Sequence, residues 1–171
     1  MARNVEIKAR VADLAPIEAR AKAIATSGPT DIAQDDTFFG CERGRLKLRR
    51  FADGTGQLIH YHRADEGGPK VSDYVIAPTA DPDALHEVLR RSNGELGRVK
   101  KQRRLYLVDN TRIHLDHVEG LGPFVELEVV LRDSETEHQG EAIAQRILRD
   151  LGIAPSQLVA GAYFDLLSQP R

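Results

Sequence analysis

At 171 residues the chain is read as one domain, residues 1–171, long enough to bury a core without disulfides or a structural metal. A charged content of 29%, a net charge of −2 and a pI near 6.3 argue against a general nucleic-acid binder, which would be basic overall. Cys41 is the single cysteine, so no internal disulfide forms, in keeping with a reducing compartment. No apolar run approaches the length of a membrane span, and the first residues lack the apolar stretch of a secretory signal. The expectation is a cytoplasmic protein with no membrane and no nucleic-acid partner.

The chain opens on Asn4 to Arg10, alternating in the manner of a strand. Asp13 can then cap a helix with Leu14, Ile17, Ala21 and Ile24 on one stripe, and Gly28-Pro29 is expected to end it. Asp36 to Phe39 reads as a short strand and Gly40 to Gly44 as a turn. Leu46 to Phe51 and Leu58 to Ala64 form a hairpin about Asp53-Gly54. After a turn at Gly67-Gly68-Pro69, Lys70 to Ile76 is another strand. Asp81-Pro82-Asp83 starts a helix through Arg91, which Asn93-Gly94 closes. Three long strands follow: Val99 to Val108, Arg112 to Val118 and Pro123 to Leu131. Ser134 to Glu137 reads as a capping box for a helix reaching Leu151, and Pro155-Ser156 as the start of a last helix bearing Tyr163, Leu166 and Leu167. Consecutive hairpins define an α+β class with an antiparallel sheet, and a polar concave face opposite an aliphatic one implies curvature or closure.

The polar positions of these strands are almost all charged. Lys8 and Arg10, Lys47 and Arg49, and Lys101 and Arg103 each share a face, with Arg63 and Arg112 as further cations. The recurrence of such pairs on separate strands suits a polyphosphate, to which Arg offers two parallel hydrogen bonds and Lys a point charge. The acidic candidates are Glu6, Asp116, Glu126 and Glu128. Glu126 and Glu128 project from one face, where they either flank a divalent cation or pair with neighbouring Arg and Lys. His60, His62, His114 and His117 show no metal-ligand spacing; His114, between Arg112 and Asp116, is the one that stands out. Lys100 to Arg104 is basic, but alternation splits its charges between two faces. No GxxxxGK[ST] or GxGxxG motif occurs.

These residues resemble the CYTH family, the triphosphate tunnel metalloenzymes. The similarity lies in Asn4-Val5-Glu6-Ile7-Lys8, Gly44 to Arg49, Lys101-Gln102-Arg103, Leu121 to Glu128 and the terminal Ala162 to Leu167. The resemblance implies a closed antiparallel β-barrel, a tunnel of about eight strands with flanking helices. It also implies that Lys8, Lys47, Arg49, Arg63, Lys101 and Arg103 grip phosphates. Glu6, Glu126 and Glu128 would hold Mg²⁺ or Mn²⁺ with Asp116 nearby, and Glu6, Lys8, Arg49 and Asp116 would carry the chemistry. Asn4 departs from the signature, which has Glu there.

The activity expected from the resemblance is that of a class IV adenylyl cyclase converting ATP to cyclic AMP and pyrophosphate. The alternative is a triphosphatase acting on inorganic or nucleoside triphosphate, and a different class again would be a non-catalytic polyphosphate or nucleotide sensor. With 5% aromatic residues and no Trp, no stacking platform is evident, which speaks mildly against a thiamine substrate. Pro155 to Leu167, with Tyr163, is the expected tunnel plug, and a homodimer is a further implication of the resemblance.

Overall fold

The structure, a computed structural model, describes residues 2–63 and 70–168, and for residues 2, 63 and 70 the backbone alone. Eight strands run β1 (Ala2–Arg10), β2 (Ser27–Phe39), β3 (Arg45–Arg50), β4 (Gly56–Arg63), β5 (Lys70–Thr79), β6 (Glu95–Val108), β7 (Thr111–Val118) and β8 (Gly122–Val130). Four helices accompany them: α1 (Ala15–Ile24), α2 (Pro82–Asn93), α3 (Glu137–Leu151) and α4 (Tyr163–Ser168). The strands close into an antiparallel barrel in the order β1-β5-β4-β3-β2-β6-β7-β8. β1 completes the ring by pairing with β5 on one side and β8 on the other. Among the described residues, closure gives every strand a partner on both sides.

The larger apolar core lies outside this barrel, and a second cluster that includes Phe38, Ile59, Tyr61, Val99 and Tyr163 lies within it. Ile7, Ala9, Ile113, Leu115, Val125 and Leu127 point outward and pack against Ile17 and Ala21 of α1 and Ile147, Leu148 and Leu151 of α3. A Cβ on Gly140 would meet Leu131 and Val5 side-chain carbons at 2.6 and 2.7 Å, so the glycine is what lets α3 settle this closely. On the far side Leu85 and Leu89 of α2 cover Phe39, Leu48, Leu46 and Leu58. With the aliphatic positions turned toward the helices, period two sends the charged positions into the bore. Among the described residues, no helix is long and apolar enough to cross a membrane.

Several boundaries differ from the sequence expectation. The first helix ends at Ile24, and Gly28-Pro29 falls inside β2 beside a register shift. β2 is therefore 13 residues long, not four. Its early half escapes recognition because Gly28-Pro29 reads as a break and polar residues stand on both faces. Asp31 and Asp35 point outward and pair with Arg104 and Arg98 of β6, while Ile32, Gln34 and Asp36 face inward. β6 likewise begins at Glu95, four residues before Val99. The capping box of α3 is formed by Thr136 and Gln139, two residues later than Ser134 and Glu137, while the Glu135 carboxylate accepts from Asn110 and the Arg132 backbone. The last helix divides into a 3₁₀ turn at Pro155–Gln157 and α4. The turn expected at Gly67-Gly68-Pro69 and the side chain of Arg63 lie outside the described residues.

Candidate active site

The bore is a cavity of about 390 Å³ with two unlike walls. One is polar and is built from Asn4, Glu6 and Lys8 of β1, Lys101 and Arg103 of β6, Arg112 and His114 of β7, and Glu126 and Glu128 of β8. Asp36 of β2 with Lys47 and Arg49 of β3 extends it. The other carries no charge among the described residues and is mainly apolar: Ile59 and Tyr61 of β4 and Tyr74 and Ile76 of β5, with Phe51 beyond β3 and the polar Gln57 and Ser72 between them. Register explains the grouping, since Lys8 stands opposite Glu126 and Glu6 opposite Glu128 across β1 and β8.

Each cation is held by a carboxylate. Lys47 Nζ donates to Asp36 Oδ2 at 2.8 Å, and Arg49 donates through Nε and Nη2 to the two Asp36 oxygens at 2.7 and 2.8 Å. Burial acts to raise the Asp36 carboxyl, but the Arg49 and Lys47 charges outweigh it and keep it well below the usual carboxylate range. Burial also pushes Lys47 down to about 8 despite the attraction of Asp36. Arg103 makes the same two-pronged contact with Asp116, 2.7 Å at each bond, and its Nη2 lies 3.3 Å from Glu126. Tyr163 donates its hydroxyl to Asp116 at 2.9 Å, and Lys101 lies 3.5 Å from the same carboxylate.

Two expected site residues have different positions. Asp116 is fully buried behind Arg103, Lys101 and Tyr163, which it holds, and is not among the residues that line the cavity. Arg10 is exposed, hydrogen-bonded to the Leu121 carbonyl and laid over the Phe124 ring, because it falls beyond the end of the bore. That end is occupied by the segment preceding and including α4. Lys8 Nζ donates to the Gly161 carbonyl at 3.0 Å and lies 4.0 Å from the centre of the Tyr163 ring. Phe164 stacks on Phe38 and fills the space left by Gly97.

Glu126 and Glu128 face the cavity side by side. Burial alone would raise both carboxyls. The Lys8 charge leads in lowering Glu126 and the His114 ring in lowering Glu128, and both sit below their ordinary value. Two ionised carboxylates facing a cavity are the donor set a hard divalent cation takes, so these residues fit such an ion. His114, also buried and cavity-facing, lies 3.8 Å from each of them. Asn4 is 2% exposed, and its Oδ1 has no hydrogen-bond partner among the described residues.

Asp36 and the apolar wall are what the sequence reading passed over. The two-residue step from Gln34 through Asp36 to Phe38 was the available signal for Asp36. The apolar wall corrects the expectation that no aromatic platform exists. Few as the aromatics are, Phe38, Phe51, Tyr61, Tyr74 and Tyr163 converge on one cavity.

An antiparallel eight-stranded tunnel whose bore is lined by paired cations and carboxylates defines a class of protein built to enclose a compact polyanion. The chain belongs to the CYTH domain family, which it matches over residues 2–163. The family is one of metal-dependent triphosphate tunnels that bind triphosphate substrates. A Methanocaldococcus jannaschii protein provisionally named an adenylate cyclase is 22% identical over 95% of this chain and 97% of its own. The Pyrococcus horikoshii protein PH1012 superposes with a TM-score of 0.84 at 23% identity, covering 96% of this chain and 99% of that one. A Hippeastrum protein provisionally named an adenylyl cyclase, and described as having a dominant triphosphatase activity, superposes with a TM-score of 0.70. It is 16% identical, covering 98% of this chain and 95% of its own.

Proposed function

We propose that this protein is a metal-dependent enzyme acting on a nucleoside triphosphate, most like a class IV adenylyl cyclase that converts ATP to cyclic AMP and pyrophosphate. The observation that carries the reading is the division of the bore into a charged wall and an apolar wall. An inorganic polyphosphate has no use for Tyr61, Tyr74, Ile59 and Ile76, whereas the base and sugar of a nucleotide gain by leaving water against them. The M. jannaschii relative's provisional name agrees with this reading.

In this mechanism Lys8, Lys47, Arg49, Lys101 and Arg103 bind the phosphates. Asp36 and Asp116 fix the guanidinium planes of Arg49 and Arg103 before substrate arrives, so little reorganisation is needed as charge develops. Glu126 and Glu128, with Glu6 opposite, would hold the divalent cation, whose chemistry when bound is to polarise a phosphoryl oxygen. In cyclisation the ribose 3′ hydroxyl loses its proton to solvent as its oxygen bonds to the α-phosphorus. The bond from the α-phosphorus to the bridging oxygen breaks, so that pyrophosphate leaves with that oxygen, its charge met by the cations of the bore.

A second reading, hydrolysis of the triphosphate to orthophosphate, draws on the density of cations and on the activity described for the Hippeastrum protein. Phosphorus NMR of the purified protein with ATP, and separately with inorganic triphosphate, each with Mg²⁺ or Mn²⁺, separates the two. Pyrophosphate and cyclic AMP from ATP are expected. Orthophosphate chiefly from inorganic triphosphate would replace the cyclase reading with a triphosphatase, and binding without turnover would leave a sensor.

A further inference from the structure

The carboxylates of the polar wall are accompanied by a nitrogen donor. His114 stands on β7 directly opposite Glu126 of β8, two residues along from the Arg112–Glu128 pair and on the same face. It is 4% exposed and lines the cavity. Its Nδ1 lies 3.8 Å from Glu126 Oε1 and 3.8 Å from Glu128 Oε1, too far for a hydrogen bond. Among the described residues Nδ1 has no hydrogen-bond partner, although nearly every buried polar atom in a folded protein has one. One ligand atom from each of the three residues falls within 4.8 Å of the others. Donors that share a cation at about 2.0–2.2 Å must stand within about twice that distance of each other, so small side-chain adjustments bring these three onto one ion.

We propose that His114 Nδ1, with Glu126 and Glu128, completes a mixed nitrogen–oxygen site that selects a transition-row divalent ion such as Mn²⁺ over Mg²⁺. The inference rests on the reading that these carboxylates hold a divalent cation. It adds the identity of the third donor and the preference that follows. Mg²⁺ takes oxygen ligands in strict octahedral geometry and gives up its water reluctantly, so an imidazole gains it little. Later first-row ions bind imidazole readily, and a site of one imidazole and two carboxylates ranks them above Mg²⁺. A cation here also gives Nδ1 the partner it lacks and relieves the repulsion between Glu126 and Glu128.

The test is Mn²⁺ binding to the full chain free of any affinity tag, read by pulsed electron paramagnetic resonance. Wild-type protein with one equivalent of Mn²⁺ is expected to show the modulation of a directly bound imidazole nitrogen. His114→Gln is expected to lose that modulation and to bind Mn²⁺ about tenfold or more weakly, while Mg²⁺ binding changes far less. Bound Mn²⁺ with no nitrogen coupling in the wild type would overturn His114 as a ligand and leave the carboxylate site standing. Nitrogen coupling that persists in His114→Gln would assign it to another histidine and overturn the proposal. Failure of wild-type protein to bind Mn²⁺ at all would overturn the metal reading itself, and this proposal with it.

Discussion

Replacing Asp36 with Asn tests whether the bore is held together by its own ion pairs. Asp36 is 3% exposed and accepts three hydrogen bonds, one from Lys47 and two from Arg49. Asn keeps the shape and one carbonyl acceptor but removes the charge, leaving two buried cations facing each other. Lys47, already pushed down to about 8, escapes by releasing its proton near neutral pH once the attraction of Asp36 is gone. Arg49 has no such route, since its guanidinium stays charged. Breaking a buried pair from one side costs about 3–5 kcal/mol. For a chain of this size each kcal/mol moves Tm by about 2–4 °C, so the variant should melt about 6–20 °C below wild type. The chain has no Trp, so far-ultraviolet circular dichroism is the assay, at pH 7 with and without millimolar tripolyphosphate. The added anion replaces the missing carboxylate, so it should raise the Tm of Asp36→Asn more than that of wild type. A ligand-free Tm within about 2 °C of wild type would refute the reasoning.

Three further outcomes follow from the same geometry. Lys47, ordinarily at 10.5 and here at about 8, must be charged to hold phosphate, so the Kd for tripolyphosphate measured by calorimetry should rise above pH 8, approaching about tenfold per pH unit while Lys47 in the complex stays protonated. Between those values the unfolded chain holds the extra proton, so ligand-free stability should rise over the window in which affinity falls; a Kd flat from pH 7 to 9.5 would remove Lys47 from the phosphate site. Glu128→Ala should weaken Mn²⁺ binding about tenfold or more by calorimetry. Unchanged affinity and metal dependence would show that Glu126 and Glu6 suffice without it.

How much of this site could be read in advance depended on what each signal encodes. Alternation in Asn4 to Lys8, Lys47 to Arg49, Lys101 to Arg103 and Phe124 to Glu128 tells which residues share a face, because side chains alternate strictly along a strand. It does not tell how far along the bore a residue lies or what stands behind it. Arg10 and Asp116 share the inward face of their strands with Lys8 and His114. Even so, Arg10 falls past the end of the cavity and Asp116 lies beneath Arg103 and Tyr163.

From its residues alone the chain determines the antiparallel hairpins, the outward aliphatic faces and the charged inward ones, since these depend on local period and turn chemistry. The tertiary structure alone decides the rest. The early half of β2 is a strand because its backbone pairs with β6, from Ser27 opposite Leu107 to Ala33 opposite Gln102, with the Asp31–Arg104 ion pair across the same two strands. The aromatic wall exists because β4 and β5 are set opposite the cations by the pairing of β1 with both β5 and β8. His114 meets Glu126 through the β7–β8 register. The β2–β6, β1–β5 and β1–β8 pairings join segments far apart in the chain, so their register is set when the ring closes, whereas the β7–β8 register follows from the short turn between them.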